Sequence, residues 1–154
     1  MDAAEEKALS DIEQYGLHVL HVLEEEDLPP FTYTIGVEKT IGHAEFIVIG
    51  LKQELAQFVV NECYAKLQAG ESIEPGDSVG GLLEGFDCKV VEFPKDSYRD
   101  YLGWALWLYK GSNFRAYQIV YPNTSGVWPW EKEADDWFKS WQPIPGGAPC
   151  GQVR

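Results

Sequence analysis

The segment that decides the fold spans residues 31–50, FTYTIGVEKTIGHAEFIVIG. Its first five residues alternate between large apolar side chains and threonine, which is the period of a half-buried β-strand. Residues 46–49 form an unbroken aliphatic run that ends at Gly50, as in a buried strand. Because the connection at residues 37–42 is short, we predict that the two strands pair as a hairpin.

The flanking sequence supplies further helices and strands. Apolar residues recur at helical spacing in residues 4–15 and 52–69, and a glycine follows each stretch where a left-handed cap would lie. A third helix is predicted over residues 96–109 and a short one within residues 128–141. The remaining predicted strands cover residues 17–23, part of residues 71–86, residues 88–93 and residues 114–121.

The order of these elements, α-β-β-β-α-β-β-α-β, places hairpins beside helices and favours an α+β fold over a doubly wound one. We expect a single domain over residues 1–147, with a mixed or mainly antiparallel sheet and about three helices, and a C-terminal tail at residues 148–154. The length fits, because a domain of 154 residues buries roughly 70% of its unfolded surface.

The charge of the chain restricts its partners. The formal net charge is -13, from 25 acidic and 12 basic residues. The basic residues are scattered singly, so no patch favours nucleic acid or an anionic membrane, and neither is expected as a ligand. A basic protein, such as a toxin, suits the charge better. A surplus of acidic residues also keeps a cytosolic protein in solution, so the charge alone does not require a partner.

The cysteines and the N-terminal sequence bear on location. Cys63, Cys88 and Cys150 are far apart and form no CxxC pair, which predicts reduced thiols rather than disulfides or a zinc site. The first residues have a polar helical pattern rather than that of a leader, and no apolar run approaches the length of a membrane span. We therefore expect a cytoplasmic protein with no metal and no cofactor.

One group of residues could support acid–base chemistry. His43 and Glu45 lie two residues apart at the start of a predicted strand, so both side chains would face the same side of the sheet. A carboxylate beside an imidazole fixes its tautomer and raises its basicity, and Tyr33 on the neighbouring strand could join the pair. The alternative is structural: His43 is a satisfied histidine and Tyr33 a core aromatic. His18 and His21 would face opposite sides of a strand, so they are not expected to share a metal ion.

A second group of residues could bind a ligand or a partner. Trp137 and Trp141 are four residues apart and lie beside two aspartates, which predicts an exposed acidic and aromatic strip on the last helix. Tryptophan is common both in interface hot spots and in sites for flat or cationic ligands. The candidate ligand-binding or partner-binding residues are Gln118, Trp128, Trp130, Asp135, Asp136, Trp137 and Trp141.

Several separated motifs resemble one bacterial family. They are FTYTIGVEKTIGHAEFIVIGL, a helix ending at Ala69 and Gly70, YQIVYPNTSGVWPWE and the closing QPIPGG. Together they resemble domain of unknown function 4262, and the likeness spans about residues 15–147. Ala44 stands where that family usually has proline, and the cysteine-containing leader of many members is missing. The residues at matching positions are Tyr33, Gly36, Gly42, His43, Glu45, Gln118, Pro122, Gly126, Pro129 and Trp130.

The sequence leaves three functional hypotheses. The first is an acidic binding protein, for example one resembling an immunity protein or an antitoxin, that neutralises a basic partner by direct binding. The second is a small enzyme or ligand-binding domain whose pocket lies between the hairpin strands, with His43 as acid or base, Glu45 as its orienting carboxylate and Tyr33 or Gln118 as hydrogen-bond donors. The third is a structural domain without a ligand.

Overall fold

The structure is a computed structural model that describes residues 2–149. These residues contain six α-helices, six β-strands and a 3-10 turn at Lys95–Ser97. The helices are α1 (Ala3–Tyr15), α2 (Val37–Ile41), α3 (Gln53–Gln68), α4 (Tyr98–Tyr101), α5 (Gly103–Tyr109) and α6 (Asp136–Trp141). The strands are β1 (His18–Val22), β2 (Phe31–Ile35), β3 (Glu45–Ile49), β4 (Ser78–Leu83), β5 (Phe86–Glu92) and β6 (Ala116–Val120).

The six strands form one mixed sheet in the order β1-β2-β3-β6-β5-β4. β3 and β6 run parallel, and every other neighbouring pair is antiparallel. The predicted pairing of the two strands in residues 31–50 is confirmed, with Tyr33 opposite Ile47. The predicted α+β class with a mixed sheet is also confirmed. Residues 150–154 of the predicted tail, including Cys150, lie outside the described residues.

Helices cover both faces of the sheet. α3 and α6 pack on one face, where Phe46 and Ile119 are fully buried against Val59 and Cys63. α1, α4 and α5 pack on the other face, which includes Ile47. Alternate side chains of each central strand point to opposite faces of the sheet, and helices cover both faces. This explains why β3 and β6 are buried along their whole length.

The connection between β2 and β3 is not the simple hairpin loop that was expected. It contains the single-turn helix α2, between Gly36 with φ of 102° and Gly42 with φ of 73°. Both glycines are in the left-handed region, which lets the chain enter and leave one helical turn within a few residues. A helix of this length has no repeating apolar pattern, so the sequence could not reveal it.

The predicted third helix is present but divided. Its residues form the 3-10 turn, then α4 and then α5, with a break at Leu102 (φ -113°, ψ 42°). Leu102 is fully buried in the core of the second face, and Gly103 beside it disfavours a continuous helix. None of the helices within residues 2–149 has the length and apolar character that a membrane crossing requires.

Candidate functional site

Glu45 is the most deeply buried charged side chain of the motif region. It begins β3 and has no exposed surface. Its Oε1 accepts hydrogen bonds from the Thr34 hydroxyl at 2.8 Å and from the Val37 N–H at 3.2 Å. Its Oε2 accepts from the N–H groups of Gly36 at 3.1 Å and Glu38 at 3.2 Å. The carboxyl group therefore caps the N-terminus of α2 and joins it to both strands of the hairpin.

A fifth donor comes from the helix layer. The Tyr109 hydroxyl, at the end of α5, donates to Oε2 of Glu45. Burial raises the pKa of Glu45 to about 7, and the Tyr109 and Thr34 hydroxyls act in the opposite direction. Burial and the neighbouring Glu45 also raise the pKa of Tyr109 far above its usual value. Glu45 is thus surrounded by donors and closed to solvent, which suits a structural role.

His43 lies in a different environment. Its Nδ1 is 2.9 Å from the carbonyl oxygen of Ala44, and its Nε2 is 2.7 Å from that of Ile73. Each ring nitrogen is therefore directed at a backbone acceptor, so neither faces open space where a substrate could exchange a proton with it. The ring stacks on Phe46 with centroids 5.3 Å apart, and Nε2 is 3.7 Å from a carboxylate oxygen of Glu74. His43 therefore ties the segment after α3 to the sheet.

The structure does not bring His43 and Glu45 together. Within residues 2–149 the two side chains share no hydrogen bond and no ion pair. Glu45 bonds to Tyr109 in the core of one face, whereas His43 packs on Phe46 in the core of the other. The expectation that they share one face depended on a strand that included His43. The strand begins at Glu45, and the alternation of side chains does not extend to residues before it.

Two further candidate site residues, Tyr33 and Gln118, are also buried. Tyr33 is 2% exposed, and its hydroxyl accepts a hydrogen bond from the Trp104 N–H at 3.0 Å. Burial raises the pKa of Tyr33 to about 12. Gln118 is fully buried in β6, and its Nε2 donates to the carbonyl of Pro143 at 2.9 Å. Both residues hold other segments against the sheet and do not line a cavity with His43.

An open cleft lies elsewhere, where the end of β1, the start of α3 and α6 meet. Its volume is about 680 Å³, and it is lined by residues 21–24, by residues 50–54 and by Trp137 and Trp141, with Pro30 and Thr32. We call it the tryptophan cleft. It combines three segments that are far apart in the sequence, and only the two tryptophans were predicted as binding residues.

The two tryptophans of the cleft form a stacked pair. Trp137 and Trp141 lie four residues apart on α6, with ring centroids 5.6 Å apart and planes inclined by 16°. Trp141 is anchored, because its indole N–H donates to the carbonyl of Gly50 at 2.8 Å. Trp137 is 63% exposed and lines the cleft, so its ring is accessible to a ligand there. The two tryptophans thus lie on one face of the last helix, as the i, i+4 spacing predicted, but Trp141 is only partly exposed.

Gly50 allows this close approach of α6 to the sheet. Its φ is 91°, and a Cβ atom there would lie 2.5 Å from the Tyr121 hydroxyl and 2.8 Å from the carbonyl oxygen of Trp141. No larger residue fits without moving α6 or the Tyr121 ring, which is itself fixed by a hydrogen bond to the Ile49 carbonyl at 2.8 Å. The position of the tryptophan pair thus depends on this glycine.

His21 is fixed within the lining of the cleft. Its Nε2 is 2.8 Å from the amide oxygen of Gln57, and its Nδ1 is 2.8 Å from the hydroxyl oxygen of Thr32. The amide oxygen is an acceptor, so Nε2 donates to it and Nδ1 accepts from Thr32 in the neutral tautomer. The Gln57 amide nitrogen in turn donates to Asn61, which supports this orientation. His18 bonds instead to Asp11 on α1, so the two histidines face opposite sides as predicted.

The rim of the cleft is charged and partly apolar. Glu24 and Glu54 are exposed and contribute two carboxylates, while Lys52 contributes one cation. Leu23 is 71% exposed and lies beside the carboxylate of Glu24 in the sequence. A cationic ligand with an apolar portion matches this combination, because the exposed ring of Trp137 and the carboxylates both attract positive charge.

The other predicted binding residues lie outside the tryptophan cleft. Trp128 and Trp130 stack on each other with centroids 5.2 Å apart, and Trp130 lines a separate pocket of about 260 Å³. Asp135 caps α6, since its carboxylate accepts from the Phe138 N–H at 2.7 Å. Asp136 is exposed in the first turn of α6. Within residues 2–149, no cluster of three or more His, Cys, Asp or Glu side chains is arranged to hold a metal ion.

One known protein family matches most of the chain. The model of the family described as Domain of unknown function (DUF4262) matches residues 11–135. The chain belongs to the DUF4262 family. The match includes the whole Glu45 network, and it includes residues 21–24 and 50–54 of the tryptophan cleft. It ends before Trp137 and Trp141, so the aromatic part of the cleft lies beyond the DUF4262 match. No curated protein and no solved structure matches the chain.

Proposed function

We propose that the protein is an acidic binding protein that holds a basic segment of a partner protein in the tryptophan cleft. The observation that supports this most strongly is Trp137, which is 63% exposed although it is stacked on the anchored Trp141. An exposed tryptophan on a fixed support, beside an open cleft, resembles the rigid aromatic anchors of protein interfaces.

The chemistry of the cleft favours a cationic side chain. The exposed ring of Trp137 can receive a guanidinium or ammonium group by a cation–π interaction. The carboxylates of Glu24 and Glu54 can form ion pairs with that cationic group. Val22 and Leu23, which are 37% and 71% exposed, offer apolar surface to the neighbouring residue of the partner. The net charge of -13 would steer a basic protein toward this surface at low salt.

The more specific form of the proposal is an immunity-like or antitoxin-like role in a bacterial cytoplasm. In this role the protein covers a basic surface of a toxin and so prevents the toxin from acting. The free, buried thiols of Cys63 and Cys88 support a reducing compartment. Capture from extracts of the source cells at low salt, with wild-type protein and Trp137→Ala in parallel, should yield a stoichiometric basic protein with the wild type alone. Recovery of the same protein by both would contradict the role of the cleft.

A defined probe tests the binding chemistry without knowledge of the natural partner. The probe is an acetylated and amidated peptide of about eight residues that alternates valine and arginine, and glutamate replaces arginine in its control. We expect the arginine peptide to bind and the glutamate peptide not to bind, as measured by calorimetry. The affinity should fall steeply between about 50 and 500 mM salt, because screening weakens exposed charge pairs.

Variants of the protein then locate the site. Trp137→Ala should weaken binding of the arginine peptide by about tenfold or more, as loss of a hot-spot tryptophan does. Trp130→Ala is the matched control, because Trp130 is half-buried in a different pocket and should leave the affinity unchanged. Equal losses in the two variants, or none in Trp137→Ala, would reject the tryptophan cleft as the binding site.

A further inference from the structure

The outer edge of β1 is open. Among the strands of residues 2–149, β2 is the only neighbour of β1 in the sheet. Within residues 2–149, no backbone hydrogen bond joins residues 18–22 to any segment other than β2. Alternate N–H and C=O groups along β1 therefore face outward without a backbone partner, as in any unprotected edge strand.

The opposite edge of the sheet is protected against the addition of another strand, whereas the β1 edge is not. β4, at the other edge, shifts its register against β5 between Val79 and Leu83, and Gly81 within it has φ of 81°. Irregularities of this kind prevent another strand from adding to an edge. β1 has the sequence HVLHV, with no proline, glycine or lysine, and it pairs with β2 in unbroken register from His18 to Val22. Its geometry can accept another strand.

Two clefts lie along this open edge. The tryptophan cleft is lined by residues 21–24 at one end. A second cleft of about 480 Å³ is lined by residues 17–19 at the other end, together with Asp11 of α1, Asn61 of α3 and Tyr15, which is 61% exposed. Of residues 17–24, every one except Leu20 lines one of the two clefts. A strand added to β1 would therefore reach both clefts with its side chains.

We propose that β1 receives an extended segment of the basic partner as an additional antiparallel or parallel strand of the sheet. This inference rests on the proposed function and specifies how the partner is held. The five residues of β1 span about 16 Å, which matches a segment of five or six residues. Backbone hydrogen bonds to β1 would fix the segment, and its side chains would occupy the two clefts.

The charges along the edge select the occupant. Asp11 lies in the second cleft, where it pairs with Lys7, and Glu24 and Glu54 lie in the tryptophan cleft with Lys52. The loop that follows β1 adds the acidic run EEED at residues 24–27. The carboxylates outnumber the two lysines, so a basic segment matches this edge. A second copy of the chain matches it poorly, because edge-to-edge pairing would bring together two molecules that each carry a net charge of -13.

The test compares the arginine–valine peptide with a version that is N-methylated at two consecutive central residues. The methyl groups leave the side chains and charge unchanged but block backbone hydrogen bonds on both edges of the peptide. We expect N-methylation to weaken binding by about tenfold or more. In addition, the unmethylated peptide should slow hydrogen exchange at the outward-facing amides of residues 18–22, whereas it should leave exchange in β4 unchanged.

Each outcome separates the two proposals. If both peptides bind equally, and Trp137→Ala weakens both, strand addition is wrong and the proposed function remains. If neither peptide binds at low salt, both proposals fail. If light scattering shows a dimer of the chain that the peptide dissociates, a second copy occupies the edge and the inference about a basic segment is overturned.

Discussion

The buried carboxyl group of Glu45 predicts how the stability of the protein changes with pH. Burial raises its pKa from 4.5 to about 7 in the folded protein. The folded state therefore holds the proton more tightly than the unfolded state does. The contribution of Glu45 to stability is fully present below pH 4.5 and is lost as the pH rises through 7. Replacing Glu45 with glutamine removes this titration, so the variant serves as the reference.

The size of the effect follows from the change in pKa. At about 1.4 kcal/mol per pKa unit, the rise from 4.5 to about 7 corresponds to about 3 kcal/mol in total. Most of this change, about 2 to 3 kcal/mol, falls between pH 5 and pH 8. That interval lies above the sequence pI of about 4.5, where an acidic protein tends to precipitate. The difference in unfolding free energy, wild type minus Glu45→Gln, should therefore decrease by this amount from pH 5 to pH 8.

The measurement is urea unfolding followed by tryptophan fluorescence, at several pH values for both proteins. Taking the difference removes the titration of the exposed acidic residues, which both proteins share. A repeat at about 0.5 M salt should give the same difference, because salt screens exposed charges far more than a buried one. A difference that is flat, or that grows with pH, would show that the five hydrogen-bond donors outweigh burial and would refute the reasoning.

Further predictions concern the segments that carry the tryptophan cleft. Gly50→Ala should destabilise the protein by about 2 kcal/mol or more, because its Cβ would meet the Tyr121 hydroxyl. Gly76→Ala is the control: Gly76 has φ of 95° and a Cβ there would have no atom within 4 Å, so this change should cost only about 1 kcal/mol of backbone strain. Urea unfolding measures the stability of both variants, and equal losses would contradict the steric account. Gln142→Ala should cost roughly 2 to 4 kcal/mol, because its amide both accepts from the Tyr121 N–H at 3.1 Å and donates to the Tyr121 carbonyl at 2.9 Å in a buried site. Gln14→Ala is the control, because Gln14 is exposed on α1, and it should change stability by less than about 0.5 kcal/mol. If the Gln142→Ala and Gln14→Ala variants lost similar stability, the hydrogen bonds between Gln142 and Tyr121 would not have the predicted effect.

The fold was largely predictable from the sequence because its signals are local. Alternation in residues 31–35 and the aliphatic run at residues 46–49 indicate strands that the structure contains, and the regular spacing in residues 52–69 indicates α3. Helix α2 was missed, since five residues give no periodicity. The break at Leu102 was missed because it depends on how that side chain packs in the core.

The candidate site was less predictable, because it is assembled by the fold. The i, i+4 spacing of Trp137 and Trp141 correctly indicated one helical face. Nothing local to residues 21–24 or 50–54 indicates that they lie beside that face. The glycine at position 50 was a weak signal, because a glycine at the end of a strand can mark a close approach of another segment. The pairing of His43 with Glu45 failed because alternation applies only within a strand.

The central claim is that a basic segment binds against Trp137, and the indole N–H signals of the six tryptophans in an NMR spectrum test it most directly. The signals can be assigned from single Trp→Phe variants and followed during titration with the arginine–valine peptide. We predict that the signals of Trp137 and Trp141 shift with saturation, while those of Trp128 and Trp130 stay in place. Shifts confined to Trp128 and Trp130, with Trp137 unchanged, would contradict the claim.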